Sequence, residues 1–148
     1  MKTKNHSREE KLQAFARLLD IQERLRTECP WDRKQTCESL RPYTIEEVYE
    51  LSDALLQGDV QEICKELGDV LEHIVFYAKL AEEQGQFDIA DVCDAHSDKL
   101  MYRHDFIDWN KGGTWRVVNP EMEINPAGQV VYRTDEVTAK HAKPTTAT

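Results

Sequence analysis

Two pairs of acidic residues, Glu47 with Glu50 and Glu66 with Asp69, constrain this chain more than any other feature. The members of each pair stand three residues apart, a spacing that puts both carboxylates on one face of an α-helix, one turn apart. The first pair lies among Ile45, Val48, Leu51 and Leu55, and the second among Ile63, Leu67, Val70, Leu71 and Ile74. Both acidic faces therefore border an apolar side, and they are placed to meet inside a helical bundle. Carboxylates that converge away from water repel unless a cation joins them. An all-oxygen ligand set favours a hard ion, and Mg²⁺ is the common one that also carries phosphates. Gly68, inside the second pair, costs about 1 kcal/mol relative to Ala in a helix, so it is expected to serve close packing or the approach of a ligand. A di-iron carboxylate bundle would need Glu-x-x-His on two helices, and none occurs. His73, four residues after Asp69, reads as a bundle-interior or interface histidine.

The remaining pattern is helical. Ser7-Arg8-Glu9-Glu10 is a capping box that opens a first helix, carried by Leu12, Phe15, Leu18, Leu19, Gln22 and Leu25 to about Glu28. Pro30 disfavours helix at Cys29 and predicts a loop with Trp31 and Asp32, the latter a candidate cap for the turn that follows. Residues 33–43 read as a loop or short helix, and Thr44 as the N-cap of a second helix with Glu47 completing a capping box. Asp59 is placed to cap a third helix over about 60–84, which Gly85 stops, and Asp88 a fourth through about Arg103. Short connections between such helices predict an all-α, antiparallel bundle of about four main helices. Its apolar surface exceeds what one four-helix chain covers, so a dimer is expected, with His73, Phe76 and Tyr77 as interface candidates that serve equally as core. Residues 1–104 read as the helical domain and 105–148 as a divergent extension. Within the extension, Trp115–Val118 and Gly128–Tyr132 suggest a β-hairpin, and the end from about Thr138 reads as disordered.

Composition removes several classes of function. A net charge of −9 with no basic stripe argues against a nucleic-acid binder. A small nucleotide differs, because bound metal ions reverse the local sign. Cys29, Cys37, Cys64 and Cys93 are scattered without C-x-x-C spacing, which argues against zinc. No signal-peptide pattern or membrane span is visible, and the expectation is a reduced, cytoplasmic protein.

Several segments then match one family in order and at compatible spacing. They are Cys29-Pro30-Trp31-Asp32, Gln35-Thr36, Ser39 through Glu47, Tyr49-Glu50, and Lys65-Glu66-Leu67-Gly68-Asp69. Val75 to Ala78, Gly85 to Asp88, Ser97 to Leu100, and Arg103-His104 follow. The chain resembles the MazG nucleoside triphosphate pyrophosphohydrolases over about residues 12–104. The resemblance implies an all-α, usually dimeric fold that hydrolyses nucleoside triphosphates to monophosphate and pyrophosphate with Mg²⁺, with Mn²⁺ as a substitute. It implies Glu47, Glu50, Glu66 and Asp69 as metal ligands, with Glu47 or Glu50 orienting or deprotonating the attacking water. Lys99 and Arg103 look like the family's phosphate-contacting pair, although as residues alone they read as a solvated helix face. Trp31 and Lys34 lie in the segment assigned to nucleotide contact, where Trp31 either stacks on a base or plugs the bundle. Glu46 reads as a helper of the metal ligands or as a helix-dipole partner. After His104 the chain leaves the family pattern with Asp105-Phe106-Ile107-Asp108, and Glu72 replaces an apolar residue. Those departures motivate the alternative of a non-catalytic nucleotide- or metal-binding or scaffolding dimer.

Overall fold

The computed structural model describes residues 5–109, 122–124, 126 and 130–132. The chain falls into two compact units, one ending at Leu80 and one beginning at Ala81. Among the described residues five helices dominate: α1 (Arg8–Glu28), α2 (Pro30–Lys34), α3 (Cys37–Gln57), α4 (Val60–Glu83) and α5 (Ile89–Arg103). None of them is long and apolar enough to cross a membrane.

In the first unit, α1 begins where its sequence dictates. The Ser7 hydroxyl accepts from the Glu10 amide at 3.1 Å and the Glu10 carboxylate accepts from the Ser7 amide at 2.9 Å, so two orphan donors are satisfied at once. Lys79 pairs with Glu23 at 2.7 Å, and the Arg26 guanidinium lies over the Phe76 ring at 5.9 Å. As the number falls on α4 it rises on α1, so the two helices run antiparallel. Of the apolar stripe on α1, Phe15, Leu18 and Leu19 are half-buried, Leu12 and Leu25 stay exposed, and Gln22 is buried.

The segment expected to be a loop is the short helix α2, because Pro30 occupies its first position, where a missing N–H loses nothing. Arg26 holds it to α1 by donating to the Asp32 and Gln35 carbonyls at 2.6 and 3.4 Å. Asp32 therefore lies within a helix and is not the cap of the next one.

Helix α3 corrects a second expectation. It starts at Cys37, with Thr36 and Ser39 exchanging side-chain-to-amide bonds of 3.1 and 2.8 Å, so Thr44 lies two turns inside it. Pro42 is tolerated at the sixth helical position, where it forfeits one early backbone bond. Gly58, at φ 74°, ends α3, and Asp59 opens α4 by accepting from the Gln61 and Glu62 amides at 3.1 and 3.4 Å. This two-residue turn lays α4 antiparallel on α3. Leu40, only 2% exposed, packs with Phe76 and Leu80, and Tyr77 lies against them. His73 and Phe76 are thus core residues of one chain.

In the second unit, α4 stops in a Schellman motif. The Gln86 amide bonds the Ala81 carbonyl and the Gly85 amide bonds that of Glu82, with Gly85 at φ 67°. Asp88 and Asp91 form the capping box of α5. Strands β1 (Met122–Ile124) and β2 (Val130–Tyr132) pair antiparallel, with Glu123 opposite Val131. The strand expected at 115–118 and the tail from Thr138 lie outside the described residues.

Candidate metal centre

The antiparallel register of α3 on α4 brings the two acidic pairs together. One carboxylate oxygen each from Glu47, Glu66 and Asp69 lie within 4.8 Å of one another. Glu66 is 7% exposed, and Glu47 and Asp69 are half-buried. The Oε2 atoms of Glu47 and Glu66 are buried without a hydrogen-bond partner. Buried carboxylate oxygens are ordinarily satisfied, so two orphans facing one small space mark a place for a cation. Glu50 is exposed beside them.

The electrostatics agree with the geometry. Burial pushes the Glu47 carboxyl above the usual carboxylate range, and the charges of Asp69, Glu50 and Glu66 push it further. Burial also raises Glu66, helped by Glu50 and Asp69, against a smaller opposing pull from Lys65. Glu72 is raised first by burial, with His73 opposing and Asp69 and Asp32 adding to the effect. Three acids that resist ionisation along one helix pair are short of positive charge. An oxygen-only set of this kind suits Mg²⁺ or Mn²⁺ and not a thiolate-seeking metal.

Gly68 refines the picture. A Cβ built there meets nothing within 4 Å, so packing among the described residues does not demand a glycine. Glu46, next to Glu47, is exposed.

The other residues singled out by sequence are placed as follows. Trp31 is 51% exposed on α2 and meets the exposed Tyr43 of α3 edge-on, with centroids 6.3 Å apart. It therefore does not plug the bundle. Lys34 is exposed at the end of α2. In the second unit, Lys99 is half-buried and Arg103 exposed on α5. His104 caps that helix, its Nδ1 lying 2.6 Å from the Leu100 carbonyl, while the Trp109 indole donates to the His104 carbonyl at 3.1 Å. Sequence reasoning passed over two features: Asp98, 3% exposed one residue before Lys99, and the contacts of Thr44 with His73 and Tyr77. A polar residue at an apolar phase of the helix could have marked Asp98. Only the inter-helix register reveals Thr44.

Fold and site together define an all-α domain that presents converging carboxylates from two antiparallel helices. Residues 35–107 match the MazG nucleotide pyrophosphohydrolase domain, so the chain carries a MazG domain. The nucleoside triphosphate pyrophosphohydrolase of Escherichia coli K12 is 50% identical over 91 residues, covering 60% of this chain and 35% of that protein. The Thermotoga maritima nucleoside triphosphate pyrophosphohydrolase/pyrophosphatase MazG is 49% identical over 92 residues, covering 61% and 36%. The chain thus spans about a third of the length of the curated relatives it matches. The crystal structure of a mazG-related protein from Thermotoga maritima superposes with a TM-score of 0.57 at 22% identity, over 86% of this chain and 98% of that one, which shows the shared fold.

Proposed function

We propose that this chain is a nucleoside triphosphate pyrophosphohydrolase that uses Mg²⁺, with Mn²⁺ as a substitute, to release pyrophosphate and leave the monophosphate. The observation that carries this reading is the pair of orphaned buried oxygens of Glu47 and Glu66 beside Asp69. Relatives named for the same reaction support it.

Glu47, Glu66 and Asp69 would hold the ion, with Glu50 completing the set from the exposed side. The bound ion neutralises phosphate charge and acidifies water. Glu50, less buried than Glu47, is the better placed to orient a water and take its proton. Attack falls on the α-phosphorus, which makes pyrophosphate the leaving group. Lys99 and Arg103 are the proposed phosphate contacts on the resemblance alone, and they would offset charge on that leaving group. The exposed Trp31 offers a face to the base, with Lys34 at the end of the same helix. The four cysteines are free, which suits a reducing cytoplasm.

We also infer a homodimer or higher homo-oligomer. Val48, Tyr49, Leu55, Leu56, Val60 and Leu67 lie exposed along the carboxylate-bearing parts of α3 and α4, with Leu56 at 84%. Large apolar residues left exposed on neighbouring helices suit an interaction face.

The test is pyrophosphate release from a panel of ribo- and deoxyribonucleoside triphosphates, with Mg²⁺ and with EDTA. Release with monophosphate as co-product, lost in EDTA, is expected. Glu50→Gln and Glu66→Gln should each lower turnover by about 100-fold or more while the helical circular dichroism is kept. Wild-type turnover in both variants would overturn the site. Binding of triphosphate and Mg²⁺ without product would leave a binder in place of an enzyme.

A further inference from the structure

The first unit holds a half-buried polar cluster that the proposed reaction does not use. Thr44 Oγ1 lies 2.6 Å from His73 Nδ1, 2.5 Å from the Tyr77 hydroxyl and 3.2 Å from the Leu40 carbonyl. A hydroxyl has one proton and two lone pairs, so three partners fill it completely. The Leu40 carbonyl can only accept, which assigns the Thr44 proton to it. Both remaining partners must then donate. His73 therefore carries a proton on Nδ1, and the Tyr77 hydroxyl points its proton at Thr44.

The location gives this bonding a consequence. Thr44 stands three residues before Glu47 on α3, and His73 stands four after Asp69 on α4. The cluster is thus one helical turn from the carboxylates, between the same two helices. Those helices bring together acidic groups that raise one another's proton affinity, so the helices are pushed apart where the carboxylates meet. The Gly58-Asp59 turn ties them on one side of the carboxylates. On the other side, apolar contacts of Leu40 with Phe76 and Leu80 oppose separation but fix sliding and rotation poorly, because such contacts are non-directional. A hydroxyl that takes one hydrogen bond from each of two residues a turn apart fixes both.

We propose that Thr44, His73 and Tyr77 form a hydrogen-bonded junction that sets the register of α3 on α4 and so positions Glu47 against Glu66 and Asp69 for a divalent cation. The proposal rests on the reading of those carboxylates as a cation site. Thr44 is a positioning residue, acting through the ligands and not on the substrate.

The experiment uses the full chain and Mn²⁺ as the probe. Thr44→Val keeps the shape of the side chain and removes its hydroxyl, whereas Thr44→Ser keeps the hydroxyl. Removing a group that orients a metal ligand typically costs 10–100-fold in affinity, so Mn²⁺ should bind Thr44→Val about 10-fold or more weakly by calorimetry. Thr44→Ser should bind within about 3-fold of wild type, a difference of under 1 kcal/mol. A merely structural role would lower the melting temperature of Thr44→Val without altering Mn²⁺ affinity in the folded protein, and that result overturns the proposal. So does failure of Thr44→Ser to restore binding. The second measurement is the ¹⁵N spectrum of His73 in the wild-type protein, expected to show a protonated, hydrogen-bonded Nδ1. A His73 Nδ1 that carries neither a proton nor the shift of a hydrogen-bonded acceptor overturns the junction whatever Mn²⁺ does. Absence of Mn²⁺ binding by the wild type removes the cation site and this positioning role with it, while the His73 spectrum then tells whether the bonded junction itself stands.

Discussion

The α3–α4 pair has two ends built from the same kinds of residue and put to opposite uses. At one end Leu40, Phe76, Ala78 and Leu80 are buried, Arg26 covers Phe76, and Thr44 bonds His73 and Tyr77. At the other, Val48, Tyr49, Leu55, Leu56, Val60 and Leu67 are exposed, with Tyr49 at 71%. Glu47, Glu66 and Asp69 lie between. The closed end supplies rigidity from within the chain. The open end carries apolar residues that stay exposed among the described residues, and the carboxylates sit where the two regimes meet. Helix length and apolar content do not distinguish the ends; the difference lies in what each faces.

Equivalent truncations at the two ends should break that symmetry most sharply. Phe76→Ala removes a ring that is 3% exposed and should cost about 3–5 kcal/mol, a large fraction of the roughly 5–15 kcal/mol that stabilises a domain. Leu56→Ala in a dilute, monomeric sample should change stability by no more than about 0.5 kcal/mol. In a dimer that covers Leu56 its cost grows with protein concentration, because association adds to apparent stability. Urea melts at two concentrations read both. A large, concentration-independent loss at Leu56 would show that the open end is closed by this chain itself.

The next effect concerns charge. Glu47, Glu66 and Glu72 all have proton affinities raised in the folded chain. Between the ordinary carboxylate value and the raised one, the native state holds more protons than the unfolded state, so stability falls as pH rises through that window and stays reduced above it. Without divalent ions the melting temperature should accordingly be lower at about pH 7 than this contribution allows at about pH 5. Mg²⁺ should remove most of that loss by taking the place of the protons. Glu47→Gln should flatten the slope and abolish the Mg²⁺ effect. A Mg²⁺ response that survives in Glu47→Gln would move the cation elsewhere.

These two regions were unequally legible in the sequence. The carboxylate face was readable because an i, i+3 spacing keeps its meaning wherever the helix begins. The caps at Ser7, Asp59, Gly85 and Asp88 were readable because each satisfies orphan backbone groups within a few residues. The start of α3 was not. Thr44-x-x-Glu47 has the form of a capping box, yet Thr36 and Ser39 cap the helix with a serine where glutamate is usual. A local pattern cannot tell a capping threonine from one inside a helix, and the true partners of Thr44 lie 29 and 33 residues away. The closed end is defined by such distant contacts, and the open end by residues that stay exposed among those described.

The smallest expected effect tests which partner the open end awaits. Gly68 weakens α4 by roughly 1 kcal/mol relative to Ala, and a methyl there meets nothing within 4 Å. Gly68→Ala in a dilute sample should therefore raise the melting temperature by a few degrees, at about 4 °C per kcal/mol for a chain of this size. Turnover and sedimentation then separate the alternatives. Lower turnover with unchanged mass would mean that the methyl meets the ligand beside Asp69. A lower mass would mean that it meets a second copy. Higher stability with turnover and mass both unchanged would show that the space over Gly68 is used by neither, and the open end would have to be explained by the exposed leucines alone.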